Sequence, residues 1–161
     1  MTLTRDLRHE LDRADVDYDL IEHRRTATAD DEARAIGVPA EQVAKTIVLT
    51  VSDRYVRAVI PACDQLDLHL VRQHLGDKHA RLASEAELAA AYPMYELGAV
   101  PPFGVPAGDH VLIDRRLAQQ DSVVLEAGSH TESLRMKTSD LLTLSRAEIT
   151  HITTNGSAKT T

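Results

Sequence analysis

The sequence predicts a single α+β domain built around a mixed β-sheet. Three observations lead there. Residues 45–52 and 55–60 are rich in β-branched side chains and flank an Asp53-Arg54 turn, the signature of a hairpin. Helical patterns with their own start and stop signals lie on both sides of that hairpin. Strands and helices alternate irregularly, which argues against a clean doubly wound fold. At 161 residues the chain suits one domain with a real core.

Taken in order, Leu3, Leu7 and Leu11 recur at helical spacing and predict an amphipathic first helix. Residues 18–22 read as a short strand followed by His23-Arg24-Arg25. Thr28, with Asp31 three residues on, opens a helix that Gly37 can end. Pro39 suits the first position of a short helical turn reaching Val43. Both faces of the hairpin are largely apolar, so it belongs at the centre of the sheet. Leu68, Val71 and Leu75 mark a helix stopped by Gly76. Ser84 and Glu87 form a capping box ahead of a helix over 85–91. Residues 111–113 and 122–127 read as strands, and 134–137 as a further one. Ser139 is expected to cap a helix over 140–144. Residues 148–152 close the fold, so the domain spans 1–152. Residues 153–161 are polar and aperiodic, the pattern of a disordered tail.

Composition narrows the function. The chain is 43% hydrophobic and 27% charged, with 3% aromatics, so its core is aliphatic. A single cysteine, Cys63, excludes an internal disulfide and fits a reducing cytoplasm. No run is apolar enough to span a bilayer and no signal peptide is visible, so neither a membrane partner nor export is expected. A net charge of −7 disfavours duplex DNA, though not a local pocket for one single-stranded end. The histidines lack metal-ligand spacing, so neither metal nor cofactor is expected. No P-loop, G-x-G-x-x-G or nucleophile elbow occurs.

Four stretches carry candidate chemistry. Residues 95–104 hold Gly98, Pro101, Pro102, Phe103 and Gly104, the makings of a stiff, shaped loop. Backbone N–H groups of Gly98, Ala99 and Val100 are expected to be free for a small polar ligand; the plainer reading is a tight connection between strands. Lys45 shares strand parity with Ile47, Leu49 and Val51, so its ammonium projects from the end of an apolar face, for a ligand or simply toward solvent. Gly128-Ser129-His130 is a turn with an imidazole. Cys63, with no base nearby in sequence, reads as a small hydrophobe.

The Ala44-Lys45-Thr46 strand, the G-x-x-P-P-F-G loop and the Gly128-Ser129-His130 turn follow a strand-plus-histidine segment in a fixed order. That order resembles the YbaK/ProX family of freestanding aminoacyl-tRNA deacylases, which are similar to the editing insertion of bacterial prolyl-tRNA synthetases. The likeness runs from about Leu3 to Ile152. It implies a partly barrel-like central sheet surrounded by helices. It implies hydrolysis of a mischarged tRNA bearing a small amino acid, such as cysteine or alanine on tRNA-Pro. The tRNA acceptor end is the implied partner, with prolyl-tRNA synthetase a second one. Lys45, Gly98 and His130 fall on catalytic positions. Thr46, Ala99, Val100, Pro101, Pro102, Phe103, Gly104, Gly128 and Ser129 fall on substrate-binding ones, with Tyr18 and His23 near the pocket mouth. Thr46 stands where the alanine-selective branch carries asparagine, which leaves the cysteine-handling or another branch open. The alternative is a non-catalytic module of the same fold that binds aminoacyl-tRNA or a protein.

The implied chemistry is simple. Ester hydrolysis passes through a tetrahedral oxyanion, which backbone N–H groups of the Gly98 loop can stabilise by about 3–4 kcal/mol per good donor. Lys45 offers a point charge for a phosphate or the oxyanion. His130 or Ser129 is expected to orient a water or bind the ribose, with imidazole as a base near neutral pH. Water or a group of the substrate itself is the expected attacker.

Overall fold

Leu7 and Leu11 are fully buried on the inner face of α1 (Arg5–Arg13). This computed structural model describes residues 5–155, so Leu3 lies outside the described residues. Strand β1 (Tyr18–Glu22) follows as expected. The Thr28 hydroxyl accepts from the Asp31 N–H and starts α2 (Ala29–Ile36), which ends at Gly37 in the left-handed region. A 3-10 turn, Ala40–Gln42, leads into β2 (Val43–Val51), and the hairpin returns as β3 (Arg54–Pro61). The short β4 (Asp64–Leu66) precedes α3 (Leu68–Leu75), capped by Asp67 and closed by Gly76. After β5 (Arg81–Leu82), Ser84 and Glu87 complete the predicted capping box of α4 (Glu85–Ala91). Then come β6 (His110–Asp114), α5 (Arg115–Ala118), β7 (Ser122–Glu126), β8 (Glu132–Lys137), α6 (Thr138–Ser145), β9 (Glu148–Thr150) and β10 (Thr153–Asn155).

The main sheet is mixed and runs β1-β8-β7-β2-β3-β6-β9, with β5 added to β2. The hairpin is central, as its two apolar faces require: β2 pairs antiparallel with β3 and parallel with β7. On one side Leu7, Leu11, Phe103, Leu125 and Leu134 pack together. On the other, Leu49, Val51, Val56, Ile60 and Val71 do.

Two sequence expectations are corrected. Residues 153–155 are not a disordered tail. They pair with β4, and Ile152 and Thr153 are buried. Thr154 further accepts a place in the fold by donating to Asp67. A polar, aperiodic stretch can still pair when its partner strand needs hydrogen bonds more than apolar surface. Residues 156–161 lie outside the described residues. Helix α6 starts at Thr138 rather than after Ser139, with no side-chain cap.

One buried cation shapes the centre. Arg57, in the apolar run of β3, is 1% exposed. Its guanidinium donates to the carbonyls of Pro101, Phe103, Gly104, Val105 and Pro106, and its Nε to Asp109 at 2.9 Å. Tyr92 lies 5.3 Å from the guanidinium carbon and donates to the same Asp109 at 2.6 Å. Replacing Arg57 with Met would take a donor from five inward-turned carbonyls and a carboxylate, of which only Val105 and Asp109 keep another, a tyrosine hydroxyl each. The expected loss is about 3–5 kcal/mol of folding stability, measured by denaturant unfolding. A variant as stable as the wild type would show that the loop holds its shape without this cation.

Candidate active site

A cavity of about 320 Å³ lies between the start of α2, the first half of β2 and the loop at Gly98. Lys45, Thr46, Gly98, Val100, Glu32 and Glu126 all border it. Central pairing of β2 fixes Lys45, whose Nζ donates to the Asp64 carbonyl at 3.3 Å. The ammonium is therefore anchored but retains donors for a ligand.

The Gly98 loop is clamped by the Gly128-Ser129-His130 turn. The Glu96 N–H donates to the Gly128 carbonyl and the Gly128 N–H to the Ala99 carbonyl, both at 2.9 Å. The His130 N–H donates to the Glu96 carboxylate, whose other oxygen pairs with Arg25 at 2.7 Å. Glu96 is held at about 2: its backbone bond from His130 and its bond to Arg25 outweigh the burial that opposes them. Ala99 donates back to the Glu96 carbonyl, so its N–H is not free as expected from sequence. Among the described residues, the N–H groups of Gly98 and Val100 have no acceptor in the protein, and both residues border the cavity. Gly98 has φ +85°, and a Cβ there would meet the His130 ring at 3.6 Å. That is ordinary contact, so the glycine is needed for its backbone angle rather than for clearance.

His130 does not stand as a free base. Its Nε2 donates to the Leu97 carbonyl at 2.6 Å and its Nδ1 bonds Glu126 at 3.0 Å. Nε2 holds the loop and Nδ1 is tied to the end of β7, so both nitrogens are engaged, which corrects the expectation of a general base. Burial works against the imidazolium, but the Leu97 carbonyl and Glu126 outweigh it and raise the His130 pKa. Burial raises that of Glu126, against the pull of His130. Ser129 is likewise local: it is buried and bonds Thr131 at 2.9 Å, away from the cavity wall.

Glu32 is the least expected member. It is fully buried on α2, borders the cavity, and is pushed up to about 8 by that burial, against the Ser133 hydrogen bond. Its Oε2 bonds Ser133, whose hydroxyl also meets His23 Nε2 at 2.9 Å. His23 Nδ1 donates to the Arg24 carbonyl. Ser133 has one proton to give. Either it goes to His23 and Glu32 is the neutral acid, or it goes to Glu32 and His23 is the imidazolium. The unit Glu32–Ser133–His23 thus holds one proton between its two ends.

The structure brings together Lys45, Thr46, Gly98, Val100 and, through Glu126, His130. It does not bring Phe103 and Gly104 to the cavity. Phe103 is in the core, and a Cβ on Gly104 would come within 2.4 Å of Leu7 on α1. Pro101 and Pro102 are buried, and Pro101 is tied to Arg57. Tyr18 packs against the core from β1, and His23 reaches the cavity only by way of Ser133 and Glu32. Glu32, Glu126, Glu96 and Arg57 were missed. An arginine within an apolar strand and a Glu126/His130 pair spanning the turn were the available signals.

Among the described residues, no cluster of histidine, cysteine or carboxylate groups could hold a metal ion, and no helix is long and apolar enough to cross a membrane. The fold is that of a solved candidate trans-editing enzyme for prolyl-tRNA synthetase, with TM-score 0.83 at 21% identity over 95% of this chain and 99% of that one. The chain belongs to the aminoacyl-tRNA editing domain family, whose sequence profile matches residues 23–144. It is 27% identical, over 86% of both chains, to the multifunctional Ser/Thr-tRNA deacylase ProXp-y of Escherichia coli K12. It is 32% identical over 98 residues to the proline–tRNA ligase of Streptococcus pneumoniae Hungary19A-6, covering 61% of this chain and 16% of the ligase.

The buried acids set a pH dependence. Glu32 and Glu126 titrate higher folded than unfolded, so their contribution to stability is fully present below the unfolded carboxyl range. It falls as pH rises through the folded values. The raised His130 acts in the same direction above its unfolded value. Denaturant unfolding is expected to give lower stability at about pH 8.5 than at about pH 5.5, and Glu32→Gln to flatten that fall. Equal slopes in the two proteins would mean that Glu32 ionises in the folded state much as it does unfolded.

Proposed function

We propose that this chain is a trans-editing aminoacyl-tRNA deacylase, which hydrolyses the ester of a mischarged tRNA carrying a small amino acid. The observation that carries the reading is the convergence of Lys45 with the unengaged N–H groups of Gly98 and Val100 on one small cavity. The aminoacyl ester enters with its carbonyl toward the Gly98 loop. Water attacks the carbonyl carbon, and the oxyanion that forms accepts hydrogen bonds from the two N–H groups. Each good donor of this kind is worth about 3–4 kcal/mol in the transition state. Collapse breaks the bond between the carbonyl carbon and the ribose oxygen; that oxygen takes up the proton given up by the attacking water, and the free amino acid is released. Lys45 supplies positive charge to the oxyanion or the terminal phosphate. His130 is a positioning residue, holding Leu97 and so the loop.

No side-chain nucleophile is assigned. Cys63 is exposed and does not border the cavity. Its thiol is pushed up by partial burial and then by Asp64, which keeps it protonated. Ala44, Ala62 and Val100 border the cavity with small side chains, which supports a small amino acid. Alanine, cysteine, serine and threonine all qualify by size. One methylene is worth only about 1–3 kcal/mol, so size alone separates them weakly. The tRNA acceptor end and the cytoplasm follow from the same reading, with prolyl-tRNA synthetase as a partner.

The test is deacylation of tRNAs charged with alanine, cysteine, serine, threonine and proline. At least one is expected to be hydrolysed well above the uncatalysed rate. Lys45→Ala is expected to fold and to lose about tenfold or more in rate, with poor recovery in Lys45→Arg, because the planar guanidinium is larger and bonds differently. No hydrolysis of any of the five would leave a binding module of the same fold. A folded Lys45→Ala protein with the wild-type rate would remove Lys45 from the site.

Cys63→Ser is expected to keep most of the wild-type rate in the same assay. Abolished turnover in a folded Cys63→Ser protein would point to the thiol as the nucleophile and overturn attack by water.

A further inference from the structure

Glu32 has a feature that oxyanion stabilisation does not use. One carboxyl oxygen, Oε2, is bonded to Ser133; the other, Oε1, is buried and has no hydrogen-bond partner. The residue is 0% exposed and borders the cavity proposed for the aminoacyl group. A buried, unpartnered carboxyl oxygen costs about 1–3 kcal/mol. Such a cost is recovered when a ligand supplies the missing bond.

We infer that Glu32 reads a side-chain hydroxyl on the amino acid, making serine and threonine esters the preferred substrates over alanine and cysteine. The inference rests on the deacylase reading above.

Charge and chemistry favour a hydroxyl over the other groups an aminoacyl ester presents. Burial favours the neutral carboxyl at neutral pH, and a neutral acid gains more from a neutral hydroxyl than it would from being forced to ionise beside a cation. A hydroxyl can donate to Oε1, which carries no proton in either form of the Glu32–Ser133–His23 unit because the carboxyl proton, when present, lies on Oε2 toward Ser133. A methyl group cannot donate, and a thiol is a weak donor. The α-ammonium has another acid nearby in Glu126, which also borders the cavity. Ser133 and His23 fix the Glu32 carboxyl through Oε2, so Oε1 is not free to swing away. A site built to bond a substrate hydroxyl discriminates strongly against the analogue lacking it, because the polar group is otherwise left unpaired.

The experiment has two readouts. The first is binding of non-hydrolysable amide analogues, 3′-seryl-, 3′-alanyl- and 3′-cysteinyl-amino-3′-deoxyadenosine, to the full chain by calorimetry. The second is hydrolysis of Ser-tRNA and Ala-tRNA. The wild type is expected to bind the seryl analogue about tenfold or more tighter than the alanyl one, and to show the same preference in hydrolysis. Glu32→Met, of similar volume and without a strong hydrogen-bonding group, is expected to bring the seryl-to-alanyl ratio to about one. Glu32→Gln keeps a bonding group and is expected to retain most of the ratio. Should Glu32→Met fail to fold, the wild-type analogue series and Glu32→Gln decide. Equal binding of seryl and alanyl analogues by the wild type overturns the inference, as does an unchanged ratio in a folded Glu32→Met protein. A seryl preference in binding with no hydrolysis of any charged tRNA sinks the enzyme reading instead and leaves the hydroxyl reader in place.

Discussion

The Arg57 guanidinium is the interaction on which the rest of the molecule depends. Residues 101–106 turn several carbonyls inward, and a buried carbonyl without a donor is costly. No neighbouring strand pairs this segment, so most of its donors come from one side chain on the central strand β3. Arginine alone offers five N–H groups in a rigid planar fork. Asp109 and Tyr92 complete its surroundings, and the Tyr95 hydroxyl adds a bond to the Val105 carbonyl at 2.6 Å. The glycine-proline loop is therefore fastened at its far end by a buried cation, not by its own stiffness.

At its near end the same loop is fastened by the Gly128-Ser129-His130 turn. Two backbone bonds, the Glu96 carboxylate and the Nε2 of His130 fix residues 96–99, while Glu126 holds the imidazole by its Nδ1. The N–H groups of Gly98 and Val100 are left without an acceptor and are held in place by the bonds of the residues between and beside them. Preorganised donors of this kind need no rearrangement when charge develops in front of them. Much of what looks like catalytic chemistry in the sequence is thus scaffolding for the loop that carries these two backbone donors.

The acids around the cavity divide by surroundings rather than by type. Glu96, near the surface with an arginine, is held ionised. Glu126, buried beside an imidazole, and Glu32, buried beside a hydroxyl, are both raised. The cavity wall therefore sets the Lys45 side chain against two buried carboxyls, Glu32 and Glu126, that burial makes easier to neutralise. That balance suits a substrate that carries a phosphate at one end and small polar groups at the other.

The sequence by itself determined the local elements: the leucine stripe of α1, the Thr28 and Ser84 caps, the glycine stops and the central hairpin all follow from short-range sterics and hydrogen bonding. It also placed Lys45 and Gly98, since strand parity and glycine geometry are local properties. Family resemblance added the order of the motifs. Only the tertiary structure decided what those motifs do. His130 became a clamp because Leu97, 33 residues away, takes its Nε2, while nearby Glu126 takes its Nδ1. Phe103 left the cavity for the core, and Gly104 for close contact with Leu7, because α1 packs on that side. Residues 153–155 became a strand because β4 presents an edge to them. Glu32 became part of the cavity because α2 buries it beside Ser133, 101 residues away. In each case the deciding partner is remote in sequence, and burial with its pairing cost is a property of the assembled fold, not of the residue.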